Sequence, residues 1–161
     1  MTDARILREA PNFGGKLEIS ANAKQIPFDT TVCAQYLYSQ VLPIFHEGFT
    51  VCPRRRVHLH KQQTRNFFVV SIRDFEQSFW PEPSLSELTD WLWRARHELF
   101  KAGRYVGAWR NGSCLVLDVS LLIYRRDRAQ RLAFLEEQHS IFDLTDRDTI
   151  PVCSSPARKA A

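Results

Sequence analysis

The chain has 161 residues, 44% of them hydrophobic and 25% charged, with a formal net charge of +4. That length supports one domain with a core that needs no disulfide or metal staples, and that composition excludes a disordered chain. No apolar run approaches a membrane span, and the opening "MTDARILREAPNFGG" lacks a signal peptide's apolar stretch, so a cytoplasmic protein with no membrane partner is expected.

Residues 1–27 read as an irregular arm, 28–148 as a single α+β domain and 149–161 as a flexible tail. Asp29 and Thr30 can cap a helix from Thr31 to Leu42, whose Val32, Tyr36, Leu37 and Val41 fall near helical spacing, and Pro43 ends it. "GFTVCP" at 48–53 and "RVHLH" at 56–60 read as short strands around a turn, and "NFFVVSI" at 66–72 is aromatic and β-branched enough for another. Ser84 and Glu87 have capping-box spacing, and Leu88, Trp91, Leu92, Ala95 and Leu99 then form one apolar stripe of a helix that Gly103 stops. Trp93 and Phe100 share a neighbouring stripe, read as core in preference to an edge packed under the N-terminal segment or a partner-binding strip.

"RYVGAW" and "CLVLDVSLLIY" flank Arg110-Asn111-Gly112-Ser113, and Asn-Gly between two strand-like runs is a hairpin signal. A helix from Asp127 to His139 follows, with Asp127 and Gln130 at capping-box spacing and Ala129, Leu132 and Leu135 facing inward, and "SIFDL" at 140–144 is the last strand. The order over 66–144 is β-α-β-β-α-β, which predicts a ferredoxin-like core: an antiparallel sheet with two helices on one face. The helix around Tyr36 is an N-terminal elaboration expected to cover the other face; an α+β sandwich using the earlier elements as further strands is the alternative.

Side chains alternate along a strand, so Leu115, Leu117, Val119, Leu121 and Ile123 belong to the helix-packed face, and Asp118 and Ser120 point to the opposite, open one. In that topology Ser71, Trp109, Asp118 and Ser120 gather into a patch able to line a groove. A strand carboxylate that is solvated or accepts bonds from a loop or an arginine is the plainer account of Asp118. An enzyme would need it to converge with Ser120 and a histidine such as His58 or His60.

Charge is distributed unevenly. Between Phe49 and Arg73 lie Arg54, Arg55, Arg56, Lys61, Arg65 and Arg73 with no carboxylate, so this segment carries +6 and the remainder −2. Such a run fits phosphates of a nucleic acid or an acidic protein surface, and its plainer reading is a solvated loop. The stacking aromatics that an RNA-recognition module places on its third strand are missing from "CLVLDVS". His58 and His60 alternate as metal ligands do, with Cys52 or His46 as conceivable third groups, but no second pair accompanies them and no metal is expected. Cys33, Cys52, Cys114 and Cys153 form no C-x-x-C pair and read as reduced thiols. No nucleophile elbow or phosphate-cradling glycine loop is present, so neither catalytic residues nor a cofactor are assigned.

The block from Tyr105 to Leu144, with its "YVGAW", "LDVS" and "IFDL", resembles a small uncharacterised family from actinobacteria and their phages and mobile elements. "GFTVCPRRR" at 48–56 resembles that family's upstream strand and turn, although "CPRRR" replaces the expected glycine-containing turn. The resemblance covers about a third of the chain and implies no activity. A mobile-element context favours a nucleic-acid or host-protein partner. The reading is therefore a small non-enzymatic binding or regulatory module working through 54–73, with a groove enzyme and a self-assembling interaction protein as alternatives.

Overall fold

A computed structural model describes residues 28–45, 48–59 and 66–152. Helix α1 (Thr30–Tyr36) starts where Asp29 predicts, because its side chain accepts from the backbone N–H of Thr31 at 2.9 Å and of Val32 at 3.1 Å. It continues as a π-helical turn over Leu37–Val41, closed by Leu42 N donating to Leu37 O, with Leu37, Val41 and Leu42 all buried. Strands β1 (Gly48–Cys52) and β2 (Val57–His58) form a small antiparallel pair. Strand β3 (Phe67–Phe79) leads to α2 (Leu85–Leu99), where both halves of the Ser84/Glu87 capping box form and Gly103 follows with φ +74°.

Strands β4 (Arg104–Asn111) and β5 (Cys114–Tyr124) form the expected hairpin, shifted by one residue. Asn111 pairs with Cys114, so the two-residue loop is Gly112-Ser113, and Gly112 takes its first position at φ +58°, as a II′-type turn requires. Helix α3 (Arg126–Leu135) departs further from expectation. Its N-cap is Arg125, no side chain caps it, and Gln130 donates to Pro151 O. Ala129 and Ala133 are buried, whereas Leu135 is exposed. Strands β6 (Ser140–Asp143) and β7 (Asp148–Pro151) complete the chain, so the expected tail opens with a paired strand.

The seven strands form one sheet in the order β2-β1-β4-β5-β3-β6-β7, antiparallel at every neighbouring pair. The protein is thus α+β, and its sheet exceeds the four strands expected for a ferredoxin-like core, because the chain before and after 66–144 adds strands at both edges. Phe49, Val51, Val106, Ala108, Leu115, Leu117 and Val119 share one face and pack with α1 and α2. The same face carries Phe68 and Val70, paired with Ile123 and Leu121, under Ala129 and Ala133 of α3. All three helices therefore lie on one side. The expectation that the N-terminal helix covers the opposite side is corrected: Cys33, Ala34 and Leu37 of α1 and its continuation pack beside α2, since they have the apolar surface that completes this core. On the other face, Leu59, Val69 and Leu144 form a separate cluster with Tyr105, Leu122 and Phe142 packed against it.

Candidate nucleic-acid interface

Of the four residues expected to line a groove, the structure joins three. Asp118 and Ser120 are 2% and 1% exposed, so the "open" face is closed at this point. Ser71 Oγ donates to Asp118 Oδ2 at 2.9 Å, and Ser120 Oγ donates to Oδ1. Asp118 pairs with Gly107 on one side. On the other side the register jumps: Ile72 pairs with Val119 and Gln77 with Leu117, so Arg73, Asp74, Phe75 and Glu76 bulge opposite Asp118. Burial pushes the Asp118 carboxyl up to about 6, with Glu76 adding to the rise and the bonds from Ser120 and Ser71 opposing it. Trp109 shares the face but is 39% exposed and not bonded into this trio. Neither cavity described for this molecule is lined by Asp118, Ser71 or Ser120. The trio is a satisfied polar plug in the sheet, and the expectation of a solvated carboxylate is overturned.

The basic segment does not form one surface. Arg73 lies in the bulge, paired with Glu137 at 2.5 Å, and its backbone N–H donates to Glu136 at 3.3 Å. Two strands, β4 and β5, lie between β1 and β3, which sets Arg73 apart from the arginines of the β1–β2 turn. Lys61 and Arg65, like His46 and His60, lie outside the described residues. His58 is buried and stacked on Phe45, ring centroids 3.9 Å apart. Among the described residues no cluster of His, Cys, Asp and Glu is arranged to hold a metal, and no helix is long and apolar enough to cross a membrane.

Arg54, Arg55 and Arg56 follow one another in the turn closed by Arg56 N donating to Cys52 O. Arg54 reaches α2: its Nη2 donates to Phe100 O, and its guanidinium lies 4.7 Å from the centre of the Phe100 ring. The positive field of Arg56 acts on Cys33 and Tyr36 of α1, and that of Arg55 on Tyr105 of the opposite face. Arg54 thus turns toward α2.

On α2, Arg54 meets a stripe expected in the core. Trp93 is 57% exposed and Phe100 56%. Trp91, Leu92, Ala95 and Leu99 already fill the inward side of α2, which leaves the next stripe in water. Arg96, one turn on from Trp93, donates to Trp93 O and holds its guanidinium 3.9 Å from that ring's centre. Trp93, Arg96, His97 and Phe100 form one wall of a cleft of about 470 Å³, and Phe28, Asp29 and Thr30 at the start of α1 form the other. Among the described residues of that lining Asp29 is the one acid, and its carboxylate is already bonded to backbone amides. Nearby Glu98 is neutralised by Lys101 and Arg104; burial works against its charge, and those bonds hold its carboxyl below the ordinary value. Arg96 and His97 were not identified from sequence, although "WRARHELF" carries an aromatic, cation, aromatic spacing of i, i+3, i+7 that marks one helical face.

Comparison with protein-family models, with curated proteins and with solved structures finds no match to this chain.

Proposed function

We propose that the protein is a non-enzymatic binding module whose partner is a nucleic acid, held through its phosphates by the β1–β2 turn and the exposed face of α2. One observation carries the reading: Arg54 from the turn packs on Phe100 and Arg96 from the helix packs on Trp93, and both rings belong to one wall of the cleft. Each guanidinium has five N–H donors, so a bond to a backbone carbonyl leaves donors for phosphate oxygens. Arg55 and Arg56 extend the positive surface around the turn. Arg73 is assigned no role, since Glu137 neutralises it. In this reading β4-β5-β3-β6, with α2 and α3 on one face, is a ferredoxin-like unit extended at both sheet edges, and the β1–β2 extension supplies the arginines.

Two features support this over the alternatives. Asp118 is enclosed with both carboxylate oxygens bonded, a poor arrangement for a general base that must touch substrate. The terminal strands β2 and β7 have two and four residues, and Pro151 closes the latter, which gives little edge for self-pairing.

The test is a salt titration of binding to fluorescent single- and double-stranded DNA and RNA, comparing wild type with Arg54→Ala/Arg55→Ala/Arg56→Ala. The expected result is affinity that falls steeply with salt, with a slope in the triple variant shallower by about 2 on single strands if all three arginines contact phosphate. No binding at low salt overturns the reading and leaves an acidic protein surface as the partner to seek.

A further inference from the structure

Resting on that reading, we infer that the occupant of the α1–α2 cleft is a single-stranded nucleic acid whose bases stack on Trp93 and Phe100. The arginines alone would serve any polyanion, so the discrimination comes from the rings. An acidic peptide would satisfy Arg54 and Arg96 and leave two large aromatic surfaces wet. A duplex offers phosphates and base edges while its base faces stay stacked on one another, out of reach of a ring on a helix surface. A single strand presents both phosphates and free base faces, which matches what this wall presents.

Spacing points the same way. Trp93 and Phe100 are seven residues apart on α2 and its C-cap, a rise of about 10.5 Å. Successive stacked bases are only about 3.4 Å apart, so two adjacent stacked bases cannot reach both rings and each ring takes its own base from a splayed strand. The cleft of about 470 Å³ has room for an unstacked base between the rings and the start of α1. The guanidiniums lie over one face of each ring, 3.9 Å from the Trp93 centre and 4.7 Å from the Phe100 centre, so a base takes the opposite face and the charge stays close enough to attract the strand's phosphates. Because both rings are more than half exposed, replacing them removes binding surface without opening the core.

The deciding experiment measures binding of one mixed-sequence fluorescent 12-mer, single-stranded and annealed to its complement, to wild type, Trp93→Ala, Phe100→Ala, Trp93→Phe and the triple arginine variant, with a thermal melt for each. The expected result is tighter binding of the single strand and a loss of roughly five- to a hundredfold for each alanine variant. The salt slope should stay near the wild-type value, Trp93→Phe should recover most of its loss, and melting temperatures should be unchanged. If the triple arginine variant weakens binding while the ring variants do not, or if duplex and single strand bind equally, the stacking inference falls and the phosphate-led interface stands. If no form of the 12-mer binds, both fall.

Discussion

Gly107 faces Asp118 across the β4–β5 ladder, and a β-carbon on Gly107 would come within 2.2 Å of Ser120 Oγ and 2.3 Å of Asp118 Oδ1. The glycine is therefore the floor on which the polar plug rests, and neither hydroxyl nor carboxylate can retreat without giving up its bond. Gly107→Ala should cost about 1–3 kcal/mol by overpacking. Adding Ser120→Ala removes one of the two clashing atoms, so the double variant should recover part of that loss in a double-mutant cycle. Denaturant unfolding measures both; an unaltered midpoint in Gly107→Ala would show that the slot is roomier than the structure indicates.

The plug also predicts how stability follows pH. In the unfolded chain an aspartate titrates at about 3.9, whereas in the folded protein Asp118 is pushed up to about 6, chiefly by burial. Between those values the folded state holds a proton that the unfolded state has released, so this group makes the fold more stable as pH drops from about 7 to 4. A rise of this size corresponds to about 2–3 kcal/mol. Glu98, held below its ordinary value, acts in the opposite sense and loses stability as acid protonates it. The informative quantity is thus the difference between wild type and Asp118→Asn, which keeps shape and cannot ionise. That difference should favour the variant at pH 7.5 and shrink toward pH 4.5; parallel stability curves would sink the assignment.

How much of this was readable in the sequence depends on whether one residue or several decide each feature. Helix α2 was legible because its cap, stripe and stop are local signals that agree. Helix α3 was legible as a helix but its cap was not, because Asp127 is bonded to its near neighbour Arg125 at 3.1 Å through two nitrogens and Gln130 is taken by Pro151, which only the fold brings near. Alternation placed Asp118 and Ser120 on the correct face, but the bulge at Arg73–Glu76 that encloses them leaves no mark of its own in "RDFE". The arginine run was visible as charge, and its division among Phe100, Tyr36, Tyr105 and Glu137 is set by tertiary packing. Trp93 and Phe100 were misread as core because apolar character alone cannot tell that an adjacent stripe has already filled the interior.

The bulge is tied down by the indole of Trp91, which is 2% exposed and donates from Nε1 to Phe75 O at 3.1 Å. Trp91→Phe keeps an aromatic in the core but removes this bond and part of the ring volume, for an expected loss of about 2–3 kcal/mol. The local effect should exceed the global one. Hydrogen exchange at 73–77 should accelerate more than in the β4–β5 hairpin; uniform acceleration would mean the bond contributes to the core alone.

Cysteine chemistry offers a last check on the helix face. Cys33 is 1% exposed between α1 and the sheet, and burial, with Cys52 adding to it, pushes its thiol up to about 12. Since the thiolate is the reactive species, Cys33 has neither access nor ionisation at neutral pH. Cys52 and Cys114 are half-buried free thiols on β1 and β5. Brief alkylation of the native protein at pH 8, read by peptide mass spectrometry, should modify Cys52 and Cys114 well before Cys33, and denaturant should bring all three to one rate. Labelling of Cys33 in step with Cys114 under native conditions would show that α1 opens readily, and the cleft it forms with α2 would then be a transient feature of the surface and not a built site.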